Sequence, residues 1–426
     1  METQFAFGKN GIDVEVPNGF AYQVVRSRAT PALNDVTGAL NAALDHPIHS
    51  EPLEKLAAGK RTAAISVCDI TRPAPNRITL PPLLQRLHTA GIPKEGVTIL
   101  IATGLHRAAT SEELDIVLGP EIAATYNVVS HDARDFAAHR SVGTTRRGTP
   151  VYIDERFVAA DLHITLGFIE PHLMLGFSGG RKLIIPGVAA QETIKVIHSP
   201  RFMREPLATE GSIEGNPLHA ELLEAAALAR HDFILDVTLT QERAISGVFA
   251  GHPVKAHAAG VEFMVNTSLT PLDSLVDAVI TSSAGYPLDL TFYQCLKGLT
   301  AAQHIVKPGG KMLLLAECAE GVGSPEYARQ LEAYPGHAEF LKRIEHTPVE
   351  IDQWQLEKLA LTGLKYELFF FTPGAAMEAL GSLRTNTFAT LDEAIAAVLS
   401  GLAPGAKVAL LPEGPYTFAR AMPAYA

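Results

Sequence analysis

Short apolar runs rich in β-branched residues alternate with amphipathic segments along most of the chain. Ala63–Val67 is followed by Leu80–Leu87, Val97–Ala102 by Ser111–Leu118, Leu162–Gly167 by Gln191–Ile197, and Phe233–Leu239 by Ala256–Val265. Continuous apolar runs suit strands covered on both faces, and the amphipathic stretches between them suit crossover helices. The pattern therefore predicts right-handed βαβ units. A second series begins near Pro271, with Leu275–Ser282, Phe292–His304, Lys311–Ala316, Glu367–Phe371, Leu391–Leu399 and Val408–Leu411. Ser268-Leu269-Thr270-Pro271 punctuates the two series and places a boundary there, giving an N-terminal domain over 1–269 and a C-terminal domain over 270–426. At the start, Phe5–Phe7 and Ile12–Val16 flank Lys9-Asn10-Gly11, a hairpin turn signal. The expected fold class is α/β, with two domains that each carry a mainly parallel sheet flanked by helices.

Composition narrows the function. With 426 residues, 47% of them hydrophobic, the chain can bury large cores without disulfides or structural metals. A net charge of −11 argues against nucleic acid, whose recognition needs a clustered basic surface. Cys68, Cys295 and Cys318 are scattered and odd in number, so neither a disulfide framework nor a zinc finger is indicated. No basic segment followed by an apolar one opens the sequence, and no apolar stretch approaches the ~20 residues of a membrane span. A cytoplasmic protein without a membrane partner is the expectation.

In open parallel sheets, ligands sit beyond the carboxyl ends of the strands. Three predicted strand ends there carry reactive side chains: Cys68-Asp69-Ile70-Thr71-Arg72-Pro73, Thr103-Gly104-Leu105-His106-Arg107 and Phe168-Ile169-Glu170-Pro171-His172. A lone histidine is more often a hydrogen-bonded structural residue. Two of them, with Asp, Arg and Glu nearby, suit a reaction that needs both a base and an acid near neutrality.

Gly176-Phe177-Ser178-Gly179-Gly180-Arg181-Lys182 is glycine-rich enough for backbone N–H groups to approach an anion, but it lacks the Gly-Lys-Ser/Thr ending of a Walker loop. A mononucleotide phosphate, a lysine that forms a covalent bond, and a tight turn with a solvated Arg-Lys pair all remain open. His198, at the end of a helical segment, belongs to no metal motif, so a metal there needs ligands of non-protein origin. His46/His49 and His252/His257 carry little metal signal. In the second half, Tyr293 and Lys297 share a helix face with Gln294 beside them, a set that suits an anion as well as an ordinary amphipathic rim. Neither a dinucleotide fingerprint nor a Gly-x-Ser-x-Gly elbow is present.

Taken in order, Asp-x-Thr-Arg-Pro at 69–73, Ala-Thr-Gly-Leu-His-Arg at 102–107, Gly-Phe-Ile-Glu-Pro-His at 167–172, Gly-Phe-Ser-Gly-Gly-Arg-Lys at 176–182, His198, and Gly-Tyr-Pro-Leu-Asp with Tyr-Gln-x-x-Lys-Gly at 285–298 resemble the nickel-pincer lactate racemase family. The resemblance implies a nicotinic-acid-derived mononucleotide that holds nickel through sulfur, carbon and sulfur (a pyridinium-3,5-bisthiocarboxylic acid mononucleotide). It also implies separate enzymes that make this cofactor. By motif matching, Lys182 is the tethering lysine and His198 the nickel ligand, and soft ligands in a square plane suit Ni(II). Gly179, Gly180, Asp69 and Thr71 would then lie near the cofactor phosphate, while Tyr293, Gln294 and Lys297 complete an active site in the interdomain cleft.

The resemblance further implies racemisation of a 2-hydroxy acid by hydride transfer through a planar 2-oxo acid, which avoids placing a second negative charge beside the carboxylate. His106 and His172 match the two bases and Arg72 the substrate-binding arginine, whose planar fork suits a carboxylate. Leu173-Met174-Leu175 departs from the aromatic pair usual in lactate enzymes. That departure is explained equally by core packing or by a larger substrate such as malate, an aryl-lactate or a sugar acid like gluconate. A different class, a zinc hydrolase using His106, His172 and His198, is the competing expectation, and a non-catalytic binder of such ligands is another.

Overall fold

The computed structural model describes residues 1–421; the last five residues of the expected C-terminal domain lie outside it. The chain divides into two compact units. One contains Ala29–His198 and Glu205–Thr267, and the other Met1–Arg28, Ser199–Arg204 and Ser268–Ala426. One division falls at residue 268, and the first 28 residues and a six-residue segment after His198 group with the C-terminal part.

The first of these units is built on a six-stranded sheet. Its strand order is Ile245–Gly251, Phe233–Leu239, Leu162–Phe168, Ala63–Cys68, Val97–Ala102 and Asn127–Ser130. Every neighbouring pair is parallel except the first, which is antiparallel. The two central strands Ala63–Cys68 and Leu162–Phe168 are buried at every position, as continuous apolar runs require. Helix Asn76–Thr89 lays Leu80, Leu83, Leu84 and Leu87 on one face against Ile65, Ile99 and Ile164 of the sheet. The sequence pattern does not show the antiparallel edge strand Ile245–Gly251 or the hairpin His139–Thr144/Pro150–Asp154.

The other unit carries a five-stranded parallel sheet in the order Glu367–Phe371, Val306–Leu315, Val276–Ser282, Lys407–Leu411 and Ala21–Val24. The expected N-terminal hairpin is present as Glu2–Phe5 paired with Ile12–Glu15. Ala21–Val24 is a mostly exposed edge strand with no apolar run, and it pairs with a strand nearly the whole chain away. Its place in the sheet is a long-range contact that local patterning does not encode. The Ser199–Arg204 segment is held here by a partly exposed arginine on a buried glutamate and by a lysine on a backbone carbonyl. Arg204 Nε donates to Glu357 Oε1 at 2.9 Å, and Lys358 Nζ donates to the Met203 carbonyl at 2.9 Å. Among the described residues no helix is long and apolar enough to cross a membrane.

Candidate active site

Three adjacent parallel strands, Leu162–Phe168, Ala63–Cys68 and Val97–Ala102, end on the same edge of the first sheet and deliver the predicted residues there. Asp69 follows one and His106 another, and their side chains meet: His106 Nδ1 lies 2.7 Å from Asp69 Oδ2. Thr71 Oγ1 donates to the other oxygen, Oδ1, at 2.7 Å. Burial pushes the Asp69 carboxyl up, but the hydrogen bonds from His106 and Thr71 and the charges of His106 and Arg72 outweigh it and hold the pKa below the usual carboxylate value. Both Asp69 oxygens are thus engaged, one by His106 and the other by Thr71. With its proton fixed on Nδ1, neutral His106 carries its lone pair on Nε2.

His172 is set the opposite way. It lies on a two-residue ladder with Gly176, and its Nδ1 accepts from the backbone N–H groups of Met174 and Leu175, each at 3.3 Å. Neutral His172 therefore carries its proton on Nε2. The two imidazoles have complementary tautomers, one an acceptor and one a donor at Nε2.

Two cations, Arg72 and Lys182, lie within electrostatic reach of one another, Arg72 also near Asp69 and Lys182 near His198. Among the described residues, neither the Arg72 guanidinium nor the Lys182 ammonium makes a hydrogen bond or ion pair. Part of the Lys182 side chain still meets solvent, but the surrounding protein strips water from its ammonium. That desolvation, with Arg72 adding repulsion and Glu170 opposing, brings its pKa down to about 7. Nearby, burial presses the Cys68 thiol up to about 12, so it is no thiolate ligand at neutral pH.

His198 caps helix Gln191–Ile197, and its Nδ1 lies 2.8 Å from the Ile194 carbonyl. That bond places the proton on Nδ1 and the lone pair on Nε2, the arrangement of a metal-binding imidazole oriented by a backbone carbonyl. Burial, with a contribution from the nearby Lys182 charge, lowers its pKa to about 4 against the opposing effect of the Ile194 bond, which keeps the ring neutral and able to ligate. Among the described residues no three His, Cys, Asp or Glu side chains converge as a metal site. The zinc arrangement of His106, His172 and His198 is therefore not assembled, whereas one histidine beside a lysine fits a metal whose remaining ligands come from a cofactor.

The glycine-rich loop differs from its expected role. The Gly180 N–H donates to the buried Asp236 Oδ2 at 2.8 Å, so it is not available to a phosphate. Gly179 has φ 82° and ψ 175°, and a Cβ on it would lie 2.6 Å from Asp236 Oδ2. These glycines let the loop close over a buried acid. Arg181 is not solvated; it is 2% exposed. Asp236 completes this layer with His257; in the sequence His257 stands out only as half of a weak metal pair, whereas an aspartate inside the apolar run Phe233–Leu239 is a usable signal. The Leu173-Met174-Leu175 departure has a packing explanation, since Met174 and Leu175 are both buried.

In the other unit, Tyr293, Gln294 and Lys297 are partly exposed positions of helix Phe292–Ala302, while Phe292, Cys295, Leu296 and Leu299 face the core. Gln355 Nε2 donates to the Tyr293 carbonyl at 2.8 Å, Trp354 Nε1 donates to its hydroxyl at 3.3 Å, and the Tyr327 ring meets it edge-on at 5.1 Å. The Gln294 Oε1 is buried without a hydrogen-bond partner, an acceptor in want of a donor.

The sequence model of the lactate racemase N-terminal domain matches residues 7–211, and that of the C-terminal domain matches 273–417. The lactate racemase of Thermoanaerobacterium thermosaccharolyticum is 34% identical over 419 residues, covering 96% of this chain and 97% of that protein. The lactate racemase of Lactiplantibacillus plantarum is 35% identical over 374 residues, covering 87% and 88%. The structure of the Thermoanaerobacterium lactate racemase apoprotein superimposes with a TM-score of 0.91 at 33% identity over 99% of this chain and all of that one. A Thermotoga maritima protein, at 18% identity and a TM-score of 0.64 over 85% of this chain and 96% of its own, shares the fold alone. With relatives a third identical over nearly their whole lengths, and both halves matched by the family's domains, this chain belongs to the lactate racemase family and is an isomerase of the racemase type.

Proposed function

We propose that the enzyme interconverts D- and L-lactate, using a nickel-pincer nucleotide made by separate biosynthetic enzymes. The observation that carries this reading is the His106–Asp69 pair with two cations near it, Arg72 and Lys182, which among the described residues make no hydrogen bond or ion pair through their charged groups. Arg72 receives the substrate carboxylate through its planar fork. His106, held and charge-balanced by Asp69, takes the C2 hydroxyl proton of one enantiomer at Nε2. His172, as the imidazolium, gives a proton from Nε2 to the C2 oxygen of the other enantiomer and ends neutral while His106 ends protonated; exchange with solvent resets both rings, and in the reverse direction the two exchange roles. The cofactor, when bound, supplies the hydride acceptor for C2. Lys182, with a pKa near neutrality, has an accessible neutral amine for attachment to the cofactor, and His198 offers Nε2 to its nickel. Tyr293, Gln294 and Lys297 are assigned to substrate and cofactor contacts by motif. Similarity to two lactate racemases over most of the chain favours lactate as the substrate over malate, aryl-lactates and sugar acids.

The test is protein produced together with the cofactor-synthesis enzymes, analysed by metal content, intact mass and a chiral lactate assay. Nickel, an organic adduct lost in Lys182→Ala, and racemisation are the expected results. Nickel-free, adduct-free protein that does not racemise lactate under these conditions would refute the reading.

A further inference from the structure

The loop between His172 and Lys182 folds around a buried guanidinium. Arg181 Nη2 donates to the carbonyls of Leu175 at 3.0 Å and Phe177 at 2.9 Å, and Nη1 reaches those of Ser178 at 3.4 Å and Gly179 at 3.3 Å. Nη1 also lies 2.8 Å from His257 Nε2, which in turn is 2.7 Å from the Ser178 carbonyl. Four of five consecutive carbonyls are thus gathered by one side chain. Glycines at positive φ, Gly176 at +75° and Gly179 at +82°, make this inward turning possible. From below, Asp236 binds the Gly180 N–H. Ser178 ties the same loop to the sheet, its Oγ donating to the Phe168 carbonyl at 2.9 Å and accepting from the Glu170 N–H at 3.0 Å. A guanidinium has donors only, in a fixed plane, so it can satisfy several buried carbonyls that no other side chain could.

We infer that Arg181 is a positioning residue, whose buried fork, backed by His257, sets the loop that presents the His172 imidazole at one end and the Lys182 amine at the other. The inference rests on the roles proposed above for those two residues. It predicts that charge alone is not enough: Arg181→Lys keeps a cation but loses the planar fork.

The test uses enzyme produced with the cofactor-synthesis enzymes. In Arg181→Lys, kcat for racemisation falls at least tenfold while KM changes less than threefold, because Arg72 is untouched. Cofactor retained per chain, read by intact mass, falls as well. His257→Gln, a milder lesion, moves both quantities in the same direction by a smaller factor and decides the matter if Arg181→Lys fails to fold. A folded Arg181→Lys, or failing that His257→Gln, with wild-type kcat and cofactor content overturns the inference. Amide hydrogen exchange separates this from the functional reading. If wild-type protein holds neither nickel nor cofactor, that reading fails, yet exchange accelerated at least tenfold over 175–183 in either variant, with the sheet strands unchanged, still supports the clamp, and unchanged exchange overturns it.

Discussion

His106 Nδ1 and Asp69 Oδ2 stand 2.7 Å apart, and the histidine side chain is 44% exposed while the carboxylate is 6% exposed. The buried acid orients the ring from behind and leaves its other nitrogen to the substrate side. Replacing Asp69 by Asn keeps the shape but removes the charge that stabilises an imidazolium and permits the wrong tautomer. Asp69→Asn is expected to lower kcat by about 10²- to 10⁴-fold, the scale of the analogous change in a Ser-His-Asp triad. Chiral assay of initial rates, with circular dichroism to confirm folding, checks it.

The same lowered pKa makes Asp69 a source of pH-dependent stability. A carboxyl held below its ordinary value stabilises the fold above that value, and the contribution is lost as pH falls through the lowered folded pKa. Asp236 behaves oppositely. Burial raises its pKa to about 7, so the folded state binds a proton that the unfolded state releases near pH 4, and stability declines as pH rises across that window. Asp236→Asn removes this titration. The stability of the variant relative to wild type should increase from pH 4 to pH 7, by at most about 4 kcal/mol at 1.36 kcal/mol per pKa unit. Urea unfolding at several pH values measures it, and a gap that is independent of pH contradicts it.

The two loop glycines should respond unequally to alanine. Gly179 occupies a backbone region that is essentially restricted to glycine, and its added Cβ collides with Asp236. Gly179→Ala is expected to cost about 3 kcal/mol or more of stability. Gly180, with φ +46° and 3.5 Å to the nearest atom, should tolerate alanine at a cost of about 1–2 kcal/mol. Melting temperatures of the two variants compare them directly.

His198→Ala tests the metal assignment without relying on activity. Nickel per chain is expected to drop at least tenfold in protein made with the cofactor enzymes, with circular dichroism to confirm that the fold persists. Inductively coupled plasma mass spectrometry gives the answer, and wild-type nickel content would reassign the ligand.

Proximity in sequence to His106 should confer nothing on Arg107. Its guanidinium is exposed and forks onto Glu113, with Nη1 2.7 Å from Oε2 and Nη2 2.5 Å from Oε1. Arg107→Ala should leave racemisation within about threefold of wild type and change stability by less than about 1 kcal/mol, as for other exposed pairs.

Much of this molecule is written locally. The buried strands Ala63–Cys68 and Leu162–Phe168 are legible because a strand covered on both faces must be apolar throughout, and helix Phe292–Ala302 because its core residues recur at helical spacing. His106, His172 and Arg72 stand out because reactive residues directly follow apolar runs, the position where parallel sheets bind ligands. Other features have no local signature. Ala21–Val24 is an edge strand whose partner, Lys407–Leu411, lies at the far end of the chain. Gly180 reads as a phosphate-binding glycine until Asp236, 56 residues later, is found to occupy its N–H.

The sequence by itself determined the alternating α/β architecture, the strand ends that carry the chemistry and the family, because these depend on periodicity and on ordered short motifs. Only the tertiary structure decided what each side chain is paired with. It paired Asp69 with His106, placed Arg181 inside the loop rather than in solvent, and, among the described residues, left the Arg72 guanidinium and the Lys182 ammonium without a hydrogen bond or ion pair. Hydrogen bonding and desolvation act through space between segments far apart in the chain, so the protonation and orientation of these groups emerge only when the strands are brought side by side.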